Sequence, residues 1–263
     1  MKKLSPRLRA LIADVAARPR VLILLDYDGT LVPLRTRPEL ARLKPGMRAT
    51  LARLHGRRLR LVMMSGRSVK SLKGCVGLPR VGYCGVFGLA ASVPGWRYLH
   101  PRARALRPAF AALIRKFQAL FRDIPEVLIE DKMAGLAVHY RLVPRARRAE
   151  VSRRFARLRA GSPSSFRWRQ GNQALEIGPR TPWDKGRATR MLWRRYSRPY
   201  LLAIGNDRFD EPMLRAAGRH GAGIRVGAGA SKARYRLKDA RRRLASRVIV
   251  FRSWARPRSC ASR

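Results

Sequence analysis

Acidic residues are scarce in this chain: 15 Asp and Glu stand against 60 Lys and Arg in 263 residues, a formal net charge of +45. That imbalance favours nonspecific binding to polyanions such as nucleic acid or anionic membrane at low salt. Yet the cations are spread along the whole chain without any nucleic-acid reader motif, so no dedicated nucleic-acid role is expected. Cysteine is equally sparse. Cys75, Cys84 and Cys260 have neither metal-site nor redox spacing, and their odd number argues against a disulfide framework, as expected for a reducing cytoplasm. Long apolar runs are missing too. Nothing approaches the ~18 residues of a membrane span, and the apolar run after residue 20 is too short for a signal-peptide core. There is no internal repeat. A 46% hydrophobic content still suffices for a large core plus a smaller insert.

With so few carboxylates, their placement carries information. Val21 to Leu25 is wholly apolar, the pattern of a strand buried on both faces of a parallel sheet, and Asp26-Tyr27-Asp28-Gly29-Thr30 follows it directly. In open α/β sheets ligands bind beyond the carboxyl ends of strands, which puts Asp26 and Asp28 where chemistry occurs. Gly29 permits a sharp turn there, although Asp and Gly also make ordinary turns.

Leu59 to Met64 repeats this layout and leads into Ser65-Gly66-Arg67. A hydroxyl and free amides at a helix start suit phosphate oxygens, and equally an N-cap. Lys185, in Trp183-Asp184-Lys185-Gly186, opens a helix expected to continue to about Trp193; a compact ammonium there suits a transferring phosphoryl group. After a strand over Tyr200 to Ile204 come Asn206, Asp207, Asp210 and Glu211, a concentration of hard oxygen donors suited to Mg²⁺ or to a helix N-terminus.

The order of these segments resembles that of the haloacid dehalogenase superfamily, and the chain is similar within it to the trehalose-6-phosphate phosphatases. The similarity rests on Asp26-Tyr27-Asp28-Gly29-Thr30-Leu31, on Glu130-Asp131-Lys132 with Val138-His139-Tyr140-Arg141, on Leu175-Glu176-Ile177, and on Trp183-Asp184-Lys185-Gly186. It runs from about residue 21 to about residue 235. The resemblance implies that Asp26 is the nucleophile and Asp28 the general acid and base. It further implies that Ser65, Gly66 and Lys185 bind phosphate, and that Arg67, Glu130, Lys132 and Glu176 bind substrate, the last three gripping glucose hydroxyls. Mg²⁺ would be held by Asp26, Asp28, Asn206, Asp207 and Asp210.

Two departures stand out. Asn206 occupies a position where the family has Asp, which keeps an oxygen but removes a negative charge. Phe87, in Val86-Phe87-Gly88, stands where a His is usual, which removes a polar group.

The expected architecture is α/β: a Rossmann-like parallel-sheet core from residues 1–100 and 179–263, with an α+β cap from 101–178. The cap pattern is αββαββ, with helices over Arg104 to Arg122 and Arg145 to Ala160. Hairpins are expected to turn at Met133 to Gly135 and at Gly171-Asn172, giving a four-stranded sheet under two helices that could act as a lid. The implied function is Mg²⁺-dependent hydrolysis of trehalose 6-phosphate through an aspartyl-phosphate. The alternatives are a phosphatase for another sugar phosphate, or a degenerate member that binds sugar phosphate without turnover. Oligomeric state is left open.

Overall fold

The computed structural model describes residues 5–33, 40–171 and 173–237. Asn172 of the expected second turn and Cys260 lie outside the described residues. In chain order the elements begin α1 (Pro6–Ala17), β1 (Val21–Asp26), α2 (Pro45–Leu54), β2 (Leu59–Met64), α3 (Val69–Val76), β3 (Gly82–Gly85), β4 (Ala90–Val93) and β5 (Trp96–Leu99). Next are α4 (Pro101–Ala105), α5 (Arg107–Leu120), β6 (Leu128–Asp131), β7 (Leu136–His139), α6 (Arg148–Ala160), β8 (Phe166–Gln170) and β9 (Ala174–Pro179). Last come α7 (Lys185–Arg195), β10 (Tyr200–Gly205), α8 (Glu211–Gly218), β11 (Gly221–Val226) and β12 (Tyr235–Leu237).

The chain divides into two compact units, Met1–Trp96 with Trp183–Arg263, and Arg97–Pro182. An eight-stranded sheet with order β12-β11-β10-β1-β2-β3-β4-β5 organises the first. Strands β1, β2, β3, β10, β11 and β12 are parallel, and β4 turns back antiparallel on β3. The unbroken apolar run of β1 is explained by this arrangement, because both sheet faces are covered and all six of its residues are buried. Val21, Ile23 and Leu25 join Leu11 and Val15 of α1, Leu51 of α2 and Leu72 of α3 in one cluster. Leu22 and Leu24, fully buried, point to the opposite face, as a period of two requires. Each such side chain contributes about 1.5–3 kcal/mol by leaving water.

Register then fixes the site. Asp26 pairs with Met64, and Leu25 pairs with Ile204, so β1, β2 and β10 finish at one edge. Asp26, Ser65 and Asn206 therefore emerge side by side.

The second unit contains a four-stranded antiparallel sheet of order β6-β7-β9-β8. Phe110, Leu113 and Phe117 of α5 and Val151 and Phe155 of α6 pack with Leu136, Val138, Leu175, Ile177 and Phe166 of the strands. The first hairpin turns through Met133 (φ 65°) and Gly135 (φ 155°), where a Cβ on Gly135 would meet the Ile177 carbonyl oxygen at 2.4 Å.

Candidate active site

Asp26 is 5% exposed at the end of β1. Its Oδ1 accepts a hydrogen bond of 2.8 Å from Lys185 Nζ, which also donates to Asp210 Oδ1 at 2.6 Å and to the Met64 carbonyl at 3.4 Å. Lys185 is the first residue of α7, whose N-cap Asp184 accepts from Arg187 N at 2.8 Å. Burial pushes the Asp26 carboxyl upward, the Lys185 ammonium opposes that, and Asp210 adds to it. Despite burial, the flanking carboxylates raise Lys185, so the ammonium stays charged between two anions.

Asp28 is held from the side. Arg67 Nε donates to its Oδ2 and Arg67 Nη2 to its Oδ1, both at 2.7 Å, and Ser65 Oγ reaches Oδ2 at 3.4 Å. Ser65 Oγ also accepts from Arg67 N at 3.1 Å. Arg67, expected as a substrate ligand, thus orients the paired aspartate; its guanidinium lies 5.5 Å over the Tyr27 ring.

The acidic cluster divides its roles. Asp210, expected to bind metal, is fully buried and has both oxygens engaged: Oδ1 with Lys185, and Oδ2 with the main-chain N–H of Asn206 and of Asp207, each at 2.9 Å. Asp207, also expected among the metal ligands, is an exposed cap whose Oδ1 accepts from Phe209 N at 3.2 Å. Asp210 therefore organises the loop and fixes Lys185. The reason is reciprocal capping: two acidic residues three apart satisfy the free amides of the turn before α8.

Asn206 reaches inward. One terminal atom of its carboxamide is 2.8 Å from Thr30 Oγ1, 3.0 Å from Asp26 Oδ2 and 3.0 Å from the Asp28 carbonyl oxygen. Gly29, at φ +85°, makes room: a Cβ there would lie 2.2 Å from the other terminal atom.

Phe87 presses its ring on the phosphate-loop candidate. A Cβ on Gly66 would sit 2.7 Å from Phe87 Cζ, and the Phe209 ring is 5.4 Å away. Val86 and Phe87 adopt φ of 50° and 55°, a left-handed pair costing roughly 1–2 kcal/mol per residue. Two backbone hydrogen bonds hold it, Val86 N to Arg67 O at 2.8 Å and Phe87 N to Ser65 O at 3.1 Å.

In the second unit, Lys132 Nζ donates to Glu176 Oε1 and Oε2 at 2.7 and 2.8 Å and lies 4.0 Å from Glu130 Oε2. The three cap residues singled out in the sequence therefore form one cluster. Strand register sets Glu130, Ala137, Glu176 and Arg169 in a row, on the face away from the Phe166 and Trp168 side chains. Sequence reasoning missed Arg169 and His139, whose Nε2 is 3.2 Å from Glu130 Oε2. Alternation in Phe166-Arg167-Trp168-Arg169 carried the signal for Arg169. Burial first, then the neighbouring Arg167, pulls the Arg169 guanidinium down. Thr30 was missed as well; its hydroxyl lies against Asn206, four positions after Asp26.

A parallel sheet with paired aspartates after a central strand, an inserted antiparallel sheet and a lysine at the start of the helix that follows the insert defines the haloacid dehalogenase fold class. The trehalose-phosphatase family pattern matches residues 24–241, and the chain belongs to that family. It is 30% identical over 236 residues to the trehalose-phosphate phosphatase of Mycobacterium tuberculosis (strain ATCC 25618 / H37Rv), which covers 86% of this chain and 59% of that protein. The chain thus spans less than two thirds of the length of that relative. Among solved structures, the Candida albicans trehalose-6-phosphate phosphatase C-terminal domain is similar in fold, with a TM-score of 0.71 at 19% identity, covering 96% of this chain and 97% of that one. A trehalose-6-phosphate phosphatase related protein superposes with a TM-score of 0.69 at 23% identity, covering 83% and 92%.

The donors at the mouth of β1 fit Mg²⁺ in kind. They are hard oxygens: Asp26 Oδ2, the Asp28 carbonyl and, with its oxygen inward, Asn206 Oδ1. Neighbouring oxygens around an octahedral ion with ~2.1 Å bonds lie about 3.0 Å apart, which matches the two 3.0 Å separations from Asn206. Only Asp26 contributes a carboxylate, and among the described residues no group of three His, Cys, Asp or Glu side chains is arranged to hold a metal ion by itself.

Proposed function

We propose that this chain hydrolyses trehalose 6-phosphate to trehalose and phosphate, with Mg²⁺, through an aspartyl-phosphate on Asp26. The observation that carries this reading is the pairing of Asp26, held by Lys185 at 2.8 Å, with Asp28, held by Arg67 at 2.7 Å, in a chain of the trehalose-phosphatase family. In the reaction the Asp26 carboxylate attacks phosphorus, the bond from phosphorus to the sugar oxygen breaks, and Asp28 gives that oxygen a proton. Asp28 then takes a proton from water as the water oxygen attacks phosphorus and releases Asp26. Arg67 grips both Asp28 oxygens at 2.7 Å and so orients that carboxyl group for both halves of the reaction. Bound Mg²⁺, held by Asp26, the Asp28 carbonyl and Asn206, would supply positive charge to the phosphate oxygens.

Glu130, Lys132 and Glu176 are the residues for sugar hydroxyls. Buried Lys132, paired with the half-buried Glu176 and close to Glu130, gives discrimination against an analogue that cannot replace these contacts. Free thiols at Cys75 and Cys84 support a reducing, cytoplasmic setting, and among the described residues no helix is long and apolar enough to cross a membrane.

The test is phosphate release from trehalose 6-phosphate and a panel of other sugar phosphates, with and without Mg²⁺. Fastest kcat/KM on trehalose 6-phosphate supports the reading; preference for another sugar phosphate moves the substrate assignment. Asn206 favours one rival, a member that binds sugar phosphate without turnover, which Mg²⁺-dependent binding with no phosphate release would establish.

A further inference from the structure

We infer that the Asn206 carboxamide, beside the cation position, takes two orientations, donating through its nitrogen to the metal-binding oxygens when no ion is present and turning over to offer its oxygen to one. This inference rests on reading the pocket as a metal-assisted phosphate site. One carboxamide end faces three oxygens, Thr30 Oγ1 at 2.8 Å, Asp26 Oδ2 at 3.0 Å and the Asp28 carbonyl at 3.0 Å. An amide oxygen at that place would confront a carboxylate oxygen and a carbonyl oxygen with nothing positive between them. An NH₂ group there donates to them, so in the ion-free protein the nitrogen points inward. The same 3.0 Å spacing is about the edge of an octahedron around Mg²⁺. One end of the group thus serves two states, nitrogen inward without the ion and oxygen inward with it.

The surroundings favour rotation of the amide in place over withdrawal. Gly29 at φ +85° leaves the carboxamide room, and its absent Cβ would lie 2.2 Å from the outer terminal atom and 2.9 Å from the amide carbon. Asp210 Oδ2 fixes the Asn206 main-chain N–H at 2.9 Å, so the residue's backbone is held while the side chain turns. An aspartate at the same position could offer only oxygen. It would repel Asp26 without the ion and bind the ion without first breaking hydrogen bonds.

The experiment measures binding and stability without substrate, so it is independent of whether the protein turns over trehalose 6-phosphate. Mg²⁺ binding by calorimetry and thermal melting with and without Mg²⁺ are compared for the wild type, Asn206→Asp and Asn206→Ala. Three results are expected. Asn206→Asp binds Mg²⁺ at least tenfold more tightly than the wild type. Both variants melt below the wild type when metal-free, because the Asp adds a repelling carboxylate and the Ala leaves Asp26 Oδ2 and the Asp28 carbonyl without their donor. Mg²⁺ restores Asn206→Asp more than it stabilises the wild type. Equal Mg²⁺ affinity in the wild type and Asn206→Asp overturns the inference, as does a metal-free Asn206→Ala protein that melts with the wild type. If Asn206→Asp cannot be kept folded without the ion, its melting in Mg²⁺ and the Asn206→Ala comparison decide between the same two outcomes.

Discussion

Arg67 grips Asp28 with two parallel hydrogen bonds, Nε to Oδ2 and Nη2 to Oδ1, each 2.7 Å long. A lysine cannot reproduce this fork. Arg67→Lys is therefore expected to lower kcat/KM for trehalose 6-phosphate by about tenfold or more through misplacement of the proton donor. With p-nitrophenyl phosphate, whose leaving group needs no proton, the loss in kcat/KM should be much smaller. Equal losses on both substrates contradict a role exercised through Asp28.

Lys185 neutralises two buried carboxylates, Asp26 at 2.8 Å and Asp210 at 2.6 Å. Lys185→Met removes the ammonium that both carboxyl groups share, an expected destabilisation of about 3–5 kcal/mol at neutral pH. The sign with pH follows from burial, which raises Asp26 even with the lysine present. A carboxyl raised in the fold favours folding when protonated, so the deficit should vanish near pH ~4, around the unfolded carboxyl value, and grow as pH rises through the raised one. Melting curves of both proteins across pH check this.

Gly186 follows Lys185 at the start of α7, and a Cβ there would lie 2.6 Å from the Pro212 carbonyl oxygen, which is backbone. Gly186→Ala must push α7 away from α8. The expected cost is roughly 1–3 kcal/mol, with a lower kcat because Lys185 moves with its helix. A thermal melt and steady-state kinetics test it.

Removing charge from the cap cluster should separate substrates. Lys132 is buried and donates to both Glu176 oxygens. Glu176→Gln is expected to lower kcat/KM for trehalose 6-phosphate by at least about tenfold, chiefly through KM, and to leave p-nitrophenyl phosphate nearly unaffected. Parallel losses on both substrates contradict the assignment of Glu176 to the sugar.

Asp123 accepts from Arg154 at 2.6 and 2.7 Å and from Arg147 at 3.1 Å, tying the end of α5 to α6. The Arg154 hydrogen bonds hold its carboxyl well below the usual range. A depressed carboxyl stabilises the fold above its unfolded value of ~3.9, and that contribution fades as pH falls toward the folded one. The wild type should lose its small advantage over Asp123→Asn below pH ~4. Calorimetric melts at pH 7 and below pH ~4 measure it.

Much of this was legible from residue order alone. The apolar run before Asp26 reads as a strand because a two-face buried strand needs no alternation, and β1 is one. The cap hairpins were readable from turn residues such as Gly135. The partners of the charges were not legible. Asp210 looked like a metal ligand because composition counts carboxylates without showing where they point; its oxygens go to Lys185 and to two main-chain amides. Arg67 was expected as a substrate ligand from the family resemblance, and nothing in the residue order showed that its guanidinium pairs with Asp28. Pairings 39 residues apart for Arg67 with Asp28 and 25 for Lys185 with Asp210 arise from how the loops and helix starts beyond the strand ends are brought together, which local pattern does not encode.

The most direct measurement compares phosphate release from trehalose 6-phosphate in Mg²⁺ by the wild type and by Asp26→Asn. The variant keeps the shape of the site and removes the attacking carboxylate, so the predicted result is steady turnover by the wild type and a loss of about a thousandfold or more in the variant. An undiminished rate in Asp26→Asn contradicts the account.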